Sequence, residues 1–170
     1  RLQPIRDILL RVMRQQNLDG DWPQWFMFFE RERNIRPGDS HGDIVFWPLV
    51  VLAQYLIASG DRAVLDEPVP FFDGEKSTVW LHAQRALSLI RRRVVDGTSL
   101  AAYGHGDWND SLQPADPKMR DHLCSAWTVT LHVQVLTMLA HALRTIGRDA
   151  DAASLETWSA EVRKDFQKGK

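Results

Sequence analysis

The chain has 170 residues, a length that fits one domain or a piece of one, and its 44% hydrophobic and 25% charged residues suit a folded protein rather than a disordered or fibrous one. Lys plus Arg number 21 against 22 Asp plus Glu, a balance too even to draw nucleic acid or an anionic membrane onto a broad face. The single cysteine, Cys124, excludes an internal disulfide and a cysteine-rich zinc site, and a reducing, cytoplasmic interior suits it. Arg1 opens the chain without a charged-then-apolar leader, so the expectation is a segment of something longer, with no signal peptide. The count that stands out is tryptophan, seven in all, since an indole can serve as core or as a flat platform for a ligand.

In chain order, Ile5, Ile8, Leu9, Val12 and Met13 recur at helical spacing opposite Arg6, Asp7, Arg11 and Arg14, which predicts an amphipathic surface helix ending near residues 17–20. The stretch 44–58 is apolar almost all round, too short for the roughly 20 residues of a membrane span, and reads as a buried helix. Asp43 stands near its start, Pro48 leaves its first residue open and Gly60 supplies a stop. Over 78–94 the set Val79, Trp80, Ala83, Leu87, Ile90 and Val94 forms one stripe of a second surface helix. The segment 123–146 returns to a mostly apolar pattern closed by Gly147, and Leu155, Trp158, Val162 and Phe166 mark a last one-sided helix. The aromatic run 25–29 could form a short strand or hairpin.

The order surface, interior, surface, interior, surface predicts an all-α double layer of successive αα-hairpins. Both connections from a surface to an interior helix, 17–42 and 95–120, should then emerge on one rim beside two interior-helix N-termini. Each exceeds the roughly 12–15 residues of a plain loop. The second contains Gly104-His105-Gly106-Asp107-Trp108-Asn109-Asp110, two carboxylates and an indole after a pair of flexible glycines. An indole stacks on the C–H face of a pyranose, carboxylates bind its hydroxyls, and a carboxyl enclosed beside tryptophan can act as a general acid. The alternative is that Asp107 and Asp110 build Asx turns while Trp108 plugs the core. The first loop offers Asp21, Trp22, Gln24, Trp25, Arg36, Asp39, His41 and Asp43, where Arg36 could hold a substrate or a structural salt bridge. His-Gly-Asp occurs at 41–43 and again at 105–107, which defines a metal-dependent hydrolase as a rival, although no metal is expected. The dinucleotide fingerprint, the nucleophile elbow and the P-loop are all absent.

Four segments together resemble the cellobiose phosphorylase group, glycoside hydrolase family 94, which includes phosphorylase-like domains of cyclic β-1,2-glucan synthases. They are Gly20-Asp21-Trp22-Pro23-Gln24-Trp25-Phe26, the His41-Gly42-Asp43 segment leading into Val45-Phe46-Trp47-Pro48, the block 60–71, and Gly106-Asp107-Trp108-Asn109-Asp110. The resemblance implies a partial (α/α)6 toroid, with residues 1–170 as a single segment of its catalytic domain. It also implies inverting phosphorolysis of a β-glucosidic bond to glucose 1-phosphate. Asp110 would be the general acid and inorganic phosphate the co-substrate, with no cofactor.

By the same resemblance Trp108 lines the sugar site, Arg36 and Asp43 match the residues that bind the glucosyl unit, and Asp107, Trp25 and Gln24 complete the expected substrate contacts. Ser111 stands where many members have glycine, and the family's phosphate contacts lie later in its domain. The expected partner is a β-linked glucose-containing oligosaccharide, with no nucleic acid and no membrane insertion, and with self-association or the remaining catalytic domain covering the flanks. An inverting hydrolase on the same scaffold and a noncatalytic sugar-binding piece are the other readings.

Overall fold

Proline at the first turn of a helix loses only an amide that would be unpaired in any case, and Pro4 and Pro48 both take that place. The computed structural model describes residues 2–109 and 112–168. It is mostly helical: α1 Gln3–Met13, α2 Trp47–Ser59, α3 Val79–Arg92, α4 Ala126–Thr145 and α5 Asp149–Lys168. A short 3-10 turn, Ile44–Phe46, leads directly into α2, which explains why Pro48 blurred that start. Gly60 closes α2 in the left-handed conformation (φ 65°), where a side chain would be strained.

Helices α2 and α4 pack on one another, α1 lies against α2 and α3, and α5 covers α4. Arg91 of α3 lies over the Trp158 ring of α5 at 3.9 Å, and Arg148, just before α5, over Trp80 of α3 at 4.0 Å, so cation–π contacts join α3 to α5 and its start. The core is continuous from Leu9 and Met13 through Leu49, Leu52 and Leu56 to Leu136, Leu139 and Leu143. The helical stretch ending in α4 is long and apolar enough to cross a bilayer by length and composition. In the fold α4 packs on α2 and α5 and exposes a polar stripe of Thr130, Gln134, Thr137 and His141. Helix α2 is less enclosed than its composition suggested, with Trp47, Val51 and Ile57 about two-fifths open.

The strand expectation needs correction. Residues 25–29 form no strand; they run into a 3-10 turn, Glu30–Glu32. The ladder lies instead at β1 Pro68–Pro70 paired antiparallel with β2 Lys76–Thr78. Two prolines in three residues hid it, because proline cannot donate to a ladder and is tolerated only at an edge. Thr78 ends β2 and caps α3, its hydroxyl accepting from the Leu81 amide at 3.1 Å. Thr78→Ala is expected to cost about 1 kcal/mol, a fall of about 2–4 °C in Tm, readable by thermal unfolding.

Candidate functional site

The two long connections meet. His41 and Gly104 form an antiparallel bridge, and the Gly42 amide donates to the Gly106 carbonyl at 2.8 Å. The junction stands at the leading ends of α2 and α4: Asp43 precedes the turn into α2, and Ser125 is the N-cap of α4. Carboxylates are favoured there by unpaired amides and the helix dipole, and two of them occupy it. Asp107 is buried, with one oxygen accepting the Ser125 hydroxyl at 2.5 Å and the other the Asn109 amide at 3.1 Å, so it builds an Asx turn and fastens the loop to α4. Asp43 is also buried, accepting from the Trp47 indole N–H at a long 3.4 Å, with the Trp127 side chain nearby. Burial raises the Asp43 pKa above the ordinary carboxylate value, while the two indoles, its own backbone and nearby His41 pull it back. The Tyr103 hydroxyl is pushed up by burial and then by Asp107 and Asp43.

The tryptophans divide by environment. Trp22 is 2% exposed and donates its indole N–H to the Val12 carbonyl, which makes it core. Trp108 is 63% exposed and leans on Trp127, with ring centroids 5.7 Å apart and planes 56° apart. Trp25 is half exposed. Gln24 exchanges two hydrogen bonds with His41, accepting from its amide at 2.8 Å and meeting Nδ1 at 3.3 Å, and so steadies the bridge. Asp110 and Ser111 lie outside the described residues.

Arg36, expected among the glucosyl contacts, has two donors engaged on the side of α1. They reach the Gln15 carbonyl at 3.0 Å and Asn17 Oδ1 at 2.7 Å, and the guanidinium lies 3.8 Å over the Phe72 ring. Asp21 pairs with Arg93 at 2.6 Å and accepts from Ser40, while Asp39 is exposed. The repeated His-Gly-Asp brings His41 to the bridge and sets His105 against Arg120 at 3.1 Å. Among the described residues no group of three or more His, Cys, Asp or Glu could hold a metal ion. A cavity of about 350 Å³ opens behind the joined loops, between Ser40, Phe46, Arg93, Ala102, His105 and Arg120. Trp47 and Trp127, which sequence reasoning passed over as ordinary members of apolar helices, are the two indoles at Asp43. The one signal for Trp47 was its place four residues after that aspartate.

Residues 10–170 match the catalytic domain of the Glycosyl hydrolase 94 superfamily. The chain is 38% identical to a 1,2-beta-oligoglucan phosphorylase of Listeria innocua, over 96% of this chain and 15% of that protein. It is 31% identical to a solabiose phosphorylase of Paenibacillus borealis, over 71% of this chain and 16% of that one. Against the cyclic beta-(1,2)-glucan synthase NdvB of Rhizobium meliloti the identity is 28%, over 61% of this chain and 4% of the relative. The chain thus spans about 15% of the length of the phosphorylases it matches. It belongs to the glycosyl hydrolase 94 superfamily, as a segment of its catalytic domain.

Proposed function

We propose that this chain is the sugar-binding rim of a glycoside phosphorylase acting on β-linked, and specifically β-1,2-linked, glucosyl oligosaccharides. Its five helices would be two consecutive pairs and one helix of a third in an (α/α)6 toroid. The observation that carries the reading is the junction of the two loops, which stands the exposed Trp108 beside buried Asp43 and Asp107 at the start of α2 and α4. The linkage is taken from the names of two relatives, a 1,2-beta-oligoglucan phosphorylase and a cyclic beta-(1,2)-glucan synthase.

In this reading Trp108 and Trp25 stack on sugar rings, while Asp107, Gln24 and Arg36 hold the loops that present them. Asp110, next but one after Trp108, protonates the departing glycosidic oxygen. Inorganic phosphate attacks the anomeric carbon from the opposite face, so the centre inverts and glucose 1-phosphate leaves without a base to activate water. The test is Asp110→Asn in the full-length protein. Phosphorolysis should fall by about 10²–10⁴ while sugar binding is retained. Unchanged turnover removes Asp110 from the acid role, and cleavage that proceeds without phosphate to free glucose makes the protein a hydrolase.

A further inference from the structure

The loop that carries Trp108 is open to solvent yet tied at its base. Trp108 and Leu112 are 63% and 59% exposed, and the ring that meets Trp108, that of Trp127, is itself part open. Apolar burial therefore contributes little to the shape of this loop. Polar ties take its place. The Tyr103 hydroxyl donates across nine residues to the Leu112 carbonyl at 2.5 Å, and Gln113 Nε2 donates back across eight residues to the His105 carbonyl at 3.0 Å. The two bonds join the same two chain segments, one donated from each side, and close the stretch as the ends of an Ω-loop are closed. Gln113 lies directly over Gly106, where a Cβ would stand 2.7 Å from its Nε2.

The incoming side of the loop is anchored in turn. The Tyr103 amide donates to the Leu123 carbonyl at 2.7 Å and the Gly104 amide to the Arg120 carbonyl at 3.1 Å, while the Arg120 guanidinium donates to His105 Nδ1 at 3.1 Å. Arginine has no acceptor, so Nδ1 takes that bond through its lone pair. The Tyr103 phenol keeps its proton for Leu112 near neutrality, because burial first, and then Asp107 and Asp43, push its pKa above the ordinary value. A loop fixed in this way presents its ring without the entropic cost of ordering it on binding.

We infer that Tyr103 and Gln113 are positioning residues that together clasp the base of this loop and hold Trp108 in the orientation that receives a glucosyl ring. The inference rests on the sugar-binding reading above and goes beyond it by assigning part of the affinity of that indole to two side chains bonded to backbone carbonyls. Since the clasp is made by both, loss of either bond frees the loop, and loss of the second adds little.

Two variants test it. Tyr103→Phe keeps the ring and removes the hydroxyl, and Gln113→Glu keeps the length and removes the N–H donor. In the 170-residue chain the Trp108 indole N–H, assigned with Trp108→Phe, should show a lower heteronuclear NOE in either variant than in the wild type. The Trp22 indole, bonded to a backbone carbonyl in the core, should stay unchanged and certify the fold. An unchanged Trp108 NOE in both variants overturns the clasp, and a fall in one variant alone overturns the joint role.

The full-length protein is then assayed with phosphate and a β-1,2-linked glucose trisaccharide. Each single variant should raise KM about fivefold, and the double variant should stay near that figure rather than reach the roughly twenty-five-fold of independent bonds. A merely structural role would lower kcat with the folded fraction and leave KM where it was. That result, or a twenty-five-fold double effect, overturns the inference. If the wild type does not cleave the trisaccharide with phosphate, the phosphorylase reading fails and the assignment of Trp108 to a glucosyl ring fails with it, while the NOE still decides the clasp.

Discussion

Gly42→Ala is expected to destabilise the chain by about 2 kcal/mol and to part the two loops that make the rim. A Cβ at this position would lie 2.7 Å from the Tyr103 carbonyl oxygen and 3.4 Å from those of Ala102 and Gly106. These are backbone atoms of the opposite loop, so no side-chain rotation can relieve the contact. The Gly42 amide is also the donor to Gly106, at 2.8 Å, and separation of the loops would cost that bond and the adjoining His41–Gly104 bridge. Since Asp107 is fastened to Ser125 from the same loop, the strain passes to the start of α4 and to Trp127. Urea unfolding should therefore show a lower midpoint, and the Trp127 indole resonance should shift in the folded state. Gly38→Ala is the control, with nothing within 4 Å of its Cβ, and should leave both unchanged. Equal behaviour of the two variants would mean that the loops are not in contact at Gly42.

The helices were legible because their signal is periodic and redundant. Ile8, Leu9, Val12 and Met13 in α1, or Ala83, Ile90 and their neighbours in α3, each repeat the same instruction, so no single residue decides. Joining of the loops on one rim was also legible, since it follows from the alternation of outer and inner helices without any contact being known. What escaped was whatever depends on one atom's partner. Trp22 and Trp108 have the same side chain and the same loop setting, yet one N–H finds the Val12 carbonyl inside the core while the other ring stands open. Arg36 could equally have faced a ligand, and its engagement with Gln15 and Asn17 depends on where α1 ends. The approach of Trp127 to Asp43 brings together residues more than eighty apart, a separation that no local pattern encodes.

A second large effect is expected from pH, through His132. This residue lies in the middle of α4, fully buried, its ring between Phe46 (centroids 5.3 Å) and Trp158 (4.9 Å, edge to face). Neither ring nitrogen has a hydrogen-bond partner among the described residues, and the hydroxyl of Thr128, one turn earlier, has none either. Burial, followed by the charge of Arg91 on α3, pushes the imidazole pKa from 6.5 down to about 3. The unfolded chain therefore binds a proton at His132 that the folded chain refuses, and stability must fall as pH drops from about 6.5 toward about 3. At full slope the loss is about 1.4 kcal/mol per pH unit. His132→Leu removes both the titration and the two unpaired nitrogens while filling a similar apolar volume. At pH 7 the variant should equal the wild type or exceed it by about 1 kcal/mol. Near pH 4.5 its advantage should grow by about 2 kcal/mol. Taking the difference between the two proteins matters, because the raised Asp43 carboxyl tilts the pH profile in the opposite sense and is present in both. Urea unfolding of each protein at the two pH values measures that difference. A gap that does not widen in acid would mean that His132 gains its proton in the folded state, and hence that its nitrogens are not sealed between Phe46 and Trp158.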